Sequence, residues 1–208
     1  MNRVKYILSV FLTFSFLCAS AQELTEEDKR AFEKRVTDKV EEFQGYLSTI
    51  VNTQVNMSHR KAALESAMYL FVGNCEPYNE TDEQGHMIKH RAVRMQVSSA
   101  TRQTKTWQAM KKYLYNQLNN TRRYARVVIR SADAVRVGKI HKVDNGRYEC
   151  VATFYQEYIS YSSDGRIIYN DRTQKKVKIY ITASEMPDGS IIYEAKLGDV
   201  YVVSTERV

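Results

Sequence analysis

Beyond its N-terminal segment the sequence has no apolar run long enough to span a bilayer, which excludes a membrane-crossing helix in the body of the chain. It has no internal repeat at solenoid spacing and no low-complexity stretch, which excludes a repeat array. Proline is scarce: Pro77 and Pro187 are the only two in 208 residues, and both stand in turn-like stretches. Of three cysteines, Cys18 lies in the N-terminal segment, leaving Cys75 and Cys150. A bridge between those two is permitted but not forced, because Cys150 sits in an apolar strand pattern where a lone cysteine behaves as a small hydrophobe.

What is present begins with a leader pattern. MNRVKYILSVFLTFSFLCASAQ places Arg3 and Lys5 before an apolar run from Tyr6 to Leu17 and ends on Ala19-Ser20-Ala21, the small-x-small sequence that signal peptidase cuts. The pattern predicts a signal peptide over residues 1–21, cleaved after Ala21, and an exported protein, periplasmic or secreted. Leu17 is not the small residue a lipid-anchored Cys18 would need. The remaining residues, 22–208, suit one domain. Losing Arg3 and Lys5 takes Lys+Arg from 31 to 29 against 24 Asp+Glu, a net charge of +5, which scattered basic residues on solvated strand faces explain as well as a polyanion does.

From Thr25 onward, Phe32, Val36, Val40, Phe43, Leu47, Ile50 and Val51 recur at spacings of three and four and predict an amphipathic helix. Thr25 caps it, with Glu26, Glu27 and Asp28 at the positive end of the dipole. A second helix is expected after a cap at Ser58, presenting Leu64, Ala67, Met68 and Phe71 and stopping at Gly73-Asn74. Asn74 to His90 reads as a long loop, followed by a short strand near Ala92 to Ser98. Trp107, Met110, Leu114 and Leu118 then share one face of a third helix.

From Tyr124 the period changes to two, and turn signals at Asp144-Asn145-Gly146, Ser163-Asp164-Gly165 and Pro187-Asp188-Gly189 divide the rest into four antiparallel strands. A two-residue loop at Asp164-Gly165 sets Ser163 against Arg166, hence Ala152 against Val177, Cys150 against Ile179 and Tyr148 against Ile181. A three-residue loop after Met186 sets Ala183 against Tyr193, Ile181 against Ala195 and Ile179 against Leu197, all on the same face. Val177 meets Val200 if Gly198-Asp199 forms a bulge. At Asn145-Gly146 a simple count faces His141 with Cys150, whereas a bulge substitutes Ile140. The predicted fold class is α+β, with N-terminal helices packed on a curved four- to five-stranded antiparallel meander.

This order of elements, covering roughly Thr25 to Thr205, resembles the NTF2-like superfamily, whose cystatin-like cone encloses a pocket between a bent sheet and its helices. The leader and the tyrosine-rich strands are similar to those of small exported proteins of Gram-negative, Bacteroides-type envelopes. The resemblance implies a cone with an internal pocket, in some members catalytic through Asp, His or Tyr and in many not. No catalytic motif of the superfamily matches, so none of its catalytic residues is carried over.

Several short patterns bear on chemistry. Ser58-His59-Arg60-Lys61 has the Ser-x-x-Lys spacing of penicillin-interacting enzymes, but the companion Ser-Asp-Asn and Lys-Thr-Gly sequences are absent and Ser58 is expected to cap a helix. His86 and His90, with Cys75, Asp82 and Glu83, match no established zinc module and read as a polar loop, so no metal or other cofactor is expected. Arg122, Arg123, Arg126 and Arg130 form a basic strand near Trp107 without a stacking platform, so nucleic acid is not an expected partner.

The remaining candidate is the inner face of the long hairpin, where Tyr148, Cys150, Ala152 and Phe154 give way to Gln156 and Tyr158. Either the strand outruns the core, or the polar residues mark the mouth of a pocket for a mostly apolar ligand. The candidate ligand- or partner-binding residues are Tyr155, Gln156, Tyr158, Tyr161, Tyr169 and Asp171. The expected function is a non-catalytic binding or assembly module of the cell envelope with a small apolar ligand or a protein partner. The alternative is a small-molecule enzyme of isomerase or dehydratase type using Tyr158, Asp171 and His141. A third possibility is a subunit whose tyrosines a protein partner covers.

Overall fold

The computed structural model describes residues 24–208, apart from 83, 102–103, 120–123, 145 and 189–190. The predicted leader therefore lies outside the described residues. Helix α1, Glu26–Val51, opens on a capping box: Thr25 Oγ1 accepts from Asp28 N at 3.1 Å and the Asp28 carboxylate accepts from Thr25 N at 3.2 Å. All seven apolar residues predicted for its inner face are buried. Helix α2, Met57–Tyr69, is capped by Asn56, whose Oδ1 accepts from His59 N at 2.9 Å, and not by Ser58. The Asn side chain reaches the free amide two residues before Ser58 could, and Ser58 stands exposed in the first turn. A short 3-10 turn, Val72–Cys75, follows, with Gly73 and Asn74 at positive φ.

The stretch expected to be a loop contains a small hairpin, β1 (Tyr78–Thr81) and β2 (Met87–His90). Next come β3 (Arg94–Val97), β4 (Thr106–Ala109) and helix α3 (Met110–Asn119). Trp107 belongs to β4 rather than to the third helix: it pairs with Gln96, packs edge-on against Tyr201 and lies under the Arg94 guanidinium. Met110, Leu114 and Leu118 form the buried helix face as expected. The remaining strands are β5 (Arg126–Ser131), β6 (Arg136–Val137), β7 (His141–Asp144), β8 (Arg147–Tyr161), β9 (Ile167–Glu185) and β10 (Ile191–Arg207).

The fold is α+β, but its sheet is larger than a four- to five-stranded meander and is mixed. Eight strands run β4-β3-β10-β9-β8-β5, with β6 and β7 also paired to β8. The neighbours are antiparallel except β10 and β3, which pair in parallel through Val200 and Met95. That pairing joins the last strand to the segment before α3, a long-range closure that turn rules cannot supply.

The predicted registers of the long strands hold. Tyr148 faces Ile181, Cys150 faces Ile179 and Ala152 faces Val177. Ile181 faces Ala195, Ile179 faces Leu197, and Val200 reaches Val177 across a bulge at Gly198-Asp199. The bulge requires glycine because a Cβ on Gly198 would sit 2.6 Å from the Tyr180 ring. At the β8–β9 tip the two-residue loop is wrong: Ser162 N donates to Arg166 O at 2.9 Å, enclosing three residues, and an irregularity between Ser160 and Tyr161 restores the count. At β7–β8 the bulged alternative is correct, since His141 faces Glu149.

All three helices share one core with the inner face of the sheet. Phe32 of α1 meets Tyr148 and Tyr193 edge-on at 5.3 and 4.6 Å, so Tyr148 is a core residue. Arg60, 4 % exposed, ties the helix ends together: its Nε donates to Ile50 O at 2.8 Å and its Nη2 to Leu118 O at 2.7 Å, satisfying carbonyls at the ends of α1 and α3. Cys75 and Cys150, the pair the sequence allowed to bridge, are both buried free thiols.

Candidate functional site

Beyond Ala152 and Val177 the inward residues of β8 and β9 pair as Phe154 with Lys175, Gln156 with Thr173, Tyr158 with Asp171 and Ser160 with Tyr169. Strand alternation places all eight on the face that carries the core. This arm does not run out into solvent. Gln156, Asp171, Thr173 and Lys175 are 4 %, 5 %, 6 % and 5 % exposed, as buried as many core residues. Helix α3 covers them with Tyr113 and Gln117, and the segment from Val97 to Thr101 closes one side. Between these walls lies a cavity of about 310 Å³. That volume is at the small end of the range for small-molecule sites.

The candidate residues divide between the two faces of the sheet. Gln156, Tyr158, Tyr169 and Asp171 line the cavity. Tyr155 and Tyr161 point the other way, lying under the guanidinium groups of Arg172 at 4.9 Å and Arg126 at 5.1 Å. His141 is exposed on β7 and does not line the cavity. Arg130, from the basic strand, is ion-paired with Glu157 at 2.7 Å on that outer face. Arg122 and Arg123 lie outside the described residues.

Of the residues considered for metal binding, His86 Nδ1 lies 3.2 Å from Asp82 Oδ2 in an exposed turn, while His90 stacks on Tyr78. Glu83 lies outside the described residues. Lys61 and Ser58 are both exposed on α2, and neither lines the cavity beside α3.

The residue that the sequence reasoning missed is Lys175. It stands in phase with Val177, Ile179 and Ile181, so the period-two count places it inward; a lysine at that position is the signal. Its Nζ donates to Gln156 Oε1 at 2.6 Å and lies 5.8 Å from the centre of the Tyr113 ring. Because an ammonium only donates, the Gln156 oxygen must face the lysine. The Gln156 Nε2 is then left buried without a partner in the protein. Burial pulls the Lys175 ammonium down to about 8, against the opposing attraction of Asp171.

At the other end of the polar ladder the Tyr169 hydroxyl donates to Asp171 Oδ2, accepts from Ala100 N at 3.0 Å and meets Ser99 Oγ at 3.1 Å. Burial pushes the Asp171 carboxyl up, an effect that the Tyr169 hydroxyl and Lys175 partly oppose. Between the two charged groups, Thr173 Oγ1 contacts Thr205 Oγ1 at 3.2 Å. The cavity thus has an amine-and-amide end at Lys175 and Gln156, a carboxyl end at Asp171, and aromatic walls from Tyr113 and Tyr158.

Among the described residues no helix is long and apolar enough to cross a membrane. No protein-family model matches the chain, and no curated protein matches it in sequence.

Proposed function

We propose that this is an exported small-molecule-binding domain of NTF2-like form, acting by binding rather than by turnover. The leader pattern supports export. The helix order and the long antiparallel hairpin support the family form. The observation that carries the binding reading is Lys175, buried at one end of a cavity and hydrogen-bonded to a buried glutamine that has a donor to spare. Burying a lysine costs several kcal/mol unless it is compensated, and an apolar residue in phase with Val177 would avoid that cost. Retaining the amine there is the mark of a site rather than of a core.

Soaking crystals in a library of small polar fragments tests this. Density in the cavity between α3 and the β8–β9 arm is the expected result. Fragments bound only elsewhere, with this cavity untouched, would overturn it.

One observation favours the enzymatic alternative: Asp171 and Lys175 share a cavity, and burial drives the carboxyl up and the ammonium down, bringing both closer to neutrality. An acid/base pair of that kind would exchange an activated proton of a bound ligand. Deuterium incorporation into a cavity-bound fragment, lost in Asp171→Asn, would support turnover chemistry; its absence supports binding alone.

A further inference from the structure

Resting on the binding reading, we infer that the ligand carries a carboxylate, held at the inner end of the cavity by Lys175 Nζ and Gln156 Nε2 together. Two donors converge there from neighbouring strands. Lys175 lies opposite Phe154, one inward position from Gln156, and spends one of its three N–H groups on Gln156 Oε1. That bond fixes the glutamine's orientation, so its amide nitrogen is the group left unpartnered, on a residue 4 % exposed. A buried unsatisfied donor beside a buried ammonium is costly in the free protein and is relieved by a ligand that only accepts.

A carboxylate does this with two oxygens in one plane. One takes a charge-assisted bond from the ammonium and the other a bond from the amide. A primary amide or an amine would instead bring N–H groups against donors.

The described charges favour a ligand with a single negative group at that end. Among the described residues that line the cavity the one acid is Asp171 on β9, two residues from Thr173 and four from Lys175, with Tyr169 donating to it. Tyr113 on α3 and Tyr158 on β8 are phenols, and burial pushes Tyr113 further toward its neutral form. Burial pushes Asp171 toward its neutral acid, and a monocarboxylate then supplies the counter-charge to Lys175. A phosphate dianion would add a second charge near Asp171, and among the described residues lining the cavity Lys175 is the one cation. The aromatic walls favour a short apolar or aromatic body behind the carboxylate.

The test uses matched probes: benzoate, phenylacetate and butyrate against benzamide, phenylacetamide and butyramide, titrated into the protein with saturation-transfer NMR. Acids binding at least about tenfold more tightly than their amides is expected, the loss of one charge-assisted hydrogen bond being worth that much. The preference should vanish in Lys175→Met. It should also vanish in Gln156→Glu, which keeps the lysine paired and the fold intact while repelling the incoming carboxylate.

Acids and amides binding the cavity equally would overturn the carboxylate and leave the binding site standing. Binding of neither series, together with an empty cavity in the fragment soak, would overturn both. Acid preference unchanged in both variants would place the anion elsewhere and overturn the inference.

Discussion

Along β8 and β9 the inner face changes character at Phe154 and Lys175 without changing its burial. On one side, Cys150, Ala152, Val177 and Ile179 are 3 %, 0 %, 1 % and 0 % exposed and pack under the helices. On the other, Gln156, Asp171 and Lys175 are 4 %, 5 % and 5 % exposed on the same strands and in the same register. The first half is a core in which apolar area removed from water stabilises the fold at about 25 cal/mol per Å². The second gives up that gain and adds desolvation of an ammonium and a carboxyl. Equal burial with opposite chemistry separates the apolar core from the proposed site within one hairpin, more clearly than exposure does.

The comparison is sharpest where a core residue borders the site. Phe154→Ala, at 0 % exposure, should cost about 3 to 5 kcal/mol in denaturant unfolding. A cost below about 1 kcal/mol would mean that the apolar half is loosely packed and that the division is not real.

The next largest effect is electrostatic. Lys175 has its folded-state value depressed to about 8, so between there and the ordinary lysine value the unfolded chain holds more protons and this group makes the fold more stable as pH rises. The full contribution is about 3 kcal/mol. Cys75 and Cys150 act in the opposite direction, because burial pushes both thiols up to about 12 and only the unfolded chain ionises in this range. The difference between Lys175→Met and the parent cancels the thiols. That difference should shift in the parent's favour by about 2 to 3 kcal/mol from pH 7.5 to pH 10 in chemical unfolding. A pH-independent difference would mean that Lys175 is well solvated.

Two smaller changes compare the faces of the same arm. Tyr169→Phe removes the donor to Asp171 and should cost about 1 to 2 kcal/mol above neutral pH, because the carboxylate stays buried with one bond fewer. The loss should shrink in acid as Asp171 takes up a proton, a group whose carboxyl burial already pushes up. Tyr155→Ala, on the outer face, forfeits its contact with Arg172 and should cost about 0.5 to 1 kcal/mol while leaving probe binding unchanged. Weakened binding in that variant would show that the outer tyrosines belong to the site.

The long antiparallel pairings were legible because three constraints coincide: alternation along β8, β9 and β10, turn residues at Asp164-Gly165 and Pro187-Asp188, and a glycine where the bulge must sit. Even the miscounted tip left the register intact, because the irregularity after Ser160 offset the longer loop. The missing parts depend on distant segments. Four-residue strands such as β1 and β2 carry too few residues to show a period, and the parallel contact between Val200 and Met95 leaves no local trace. Trp107 fits a helical spacing with Met110, yet its pairing with Gln96 decides its conformation.

At the site, Gln156, Tyr158, Tyr169 and Asp171 were legible from the register, whereas Tyr155 and Tyr161 were grouped with them by residue type despite standing on the opposite face. Lys175 was overlooked because a lysine suggests solvent. Its burial depends on α3 and the Val97–Thr101 segment closing over the arm, which lie far away in sequence.

The most direct measurement is paired thermal unfolding and probe binding of the double variant Lys175→Met/Gln156→Leu. Replacing both partners of a buried polar pair with apolar groups of similar shape leaves no orphaned donor or acceptor. If the polar arm is maintained for ligand rather than for the fold, the double variant should melt at or above the parent's temperature and bind none of the carboxylate probes. A melting temperature lower by more than about 10 °C, with probe binding retained, would contradict the account.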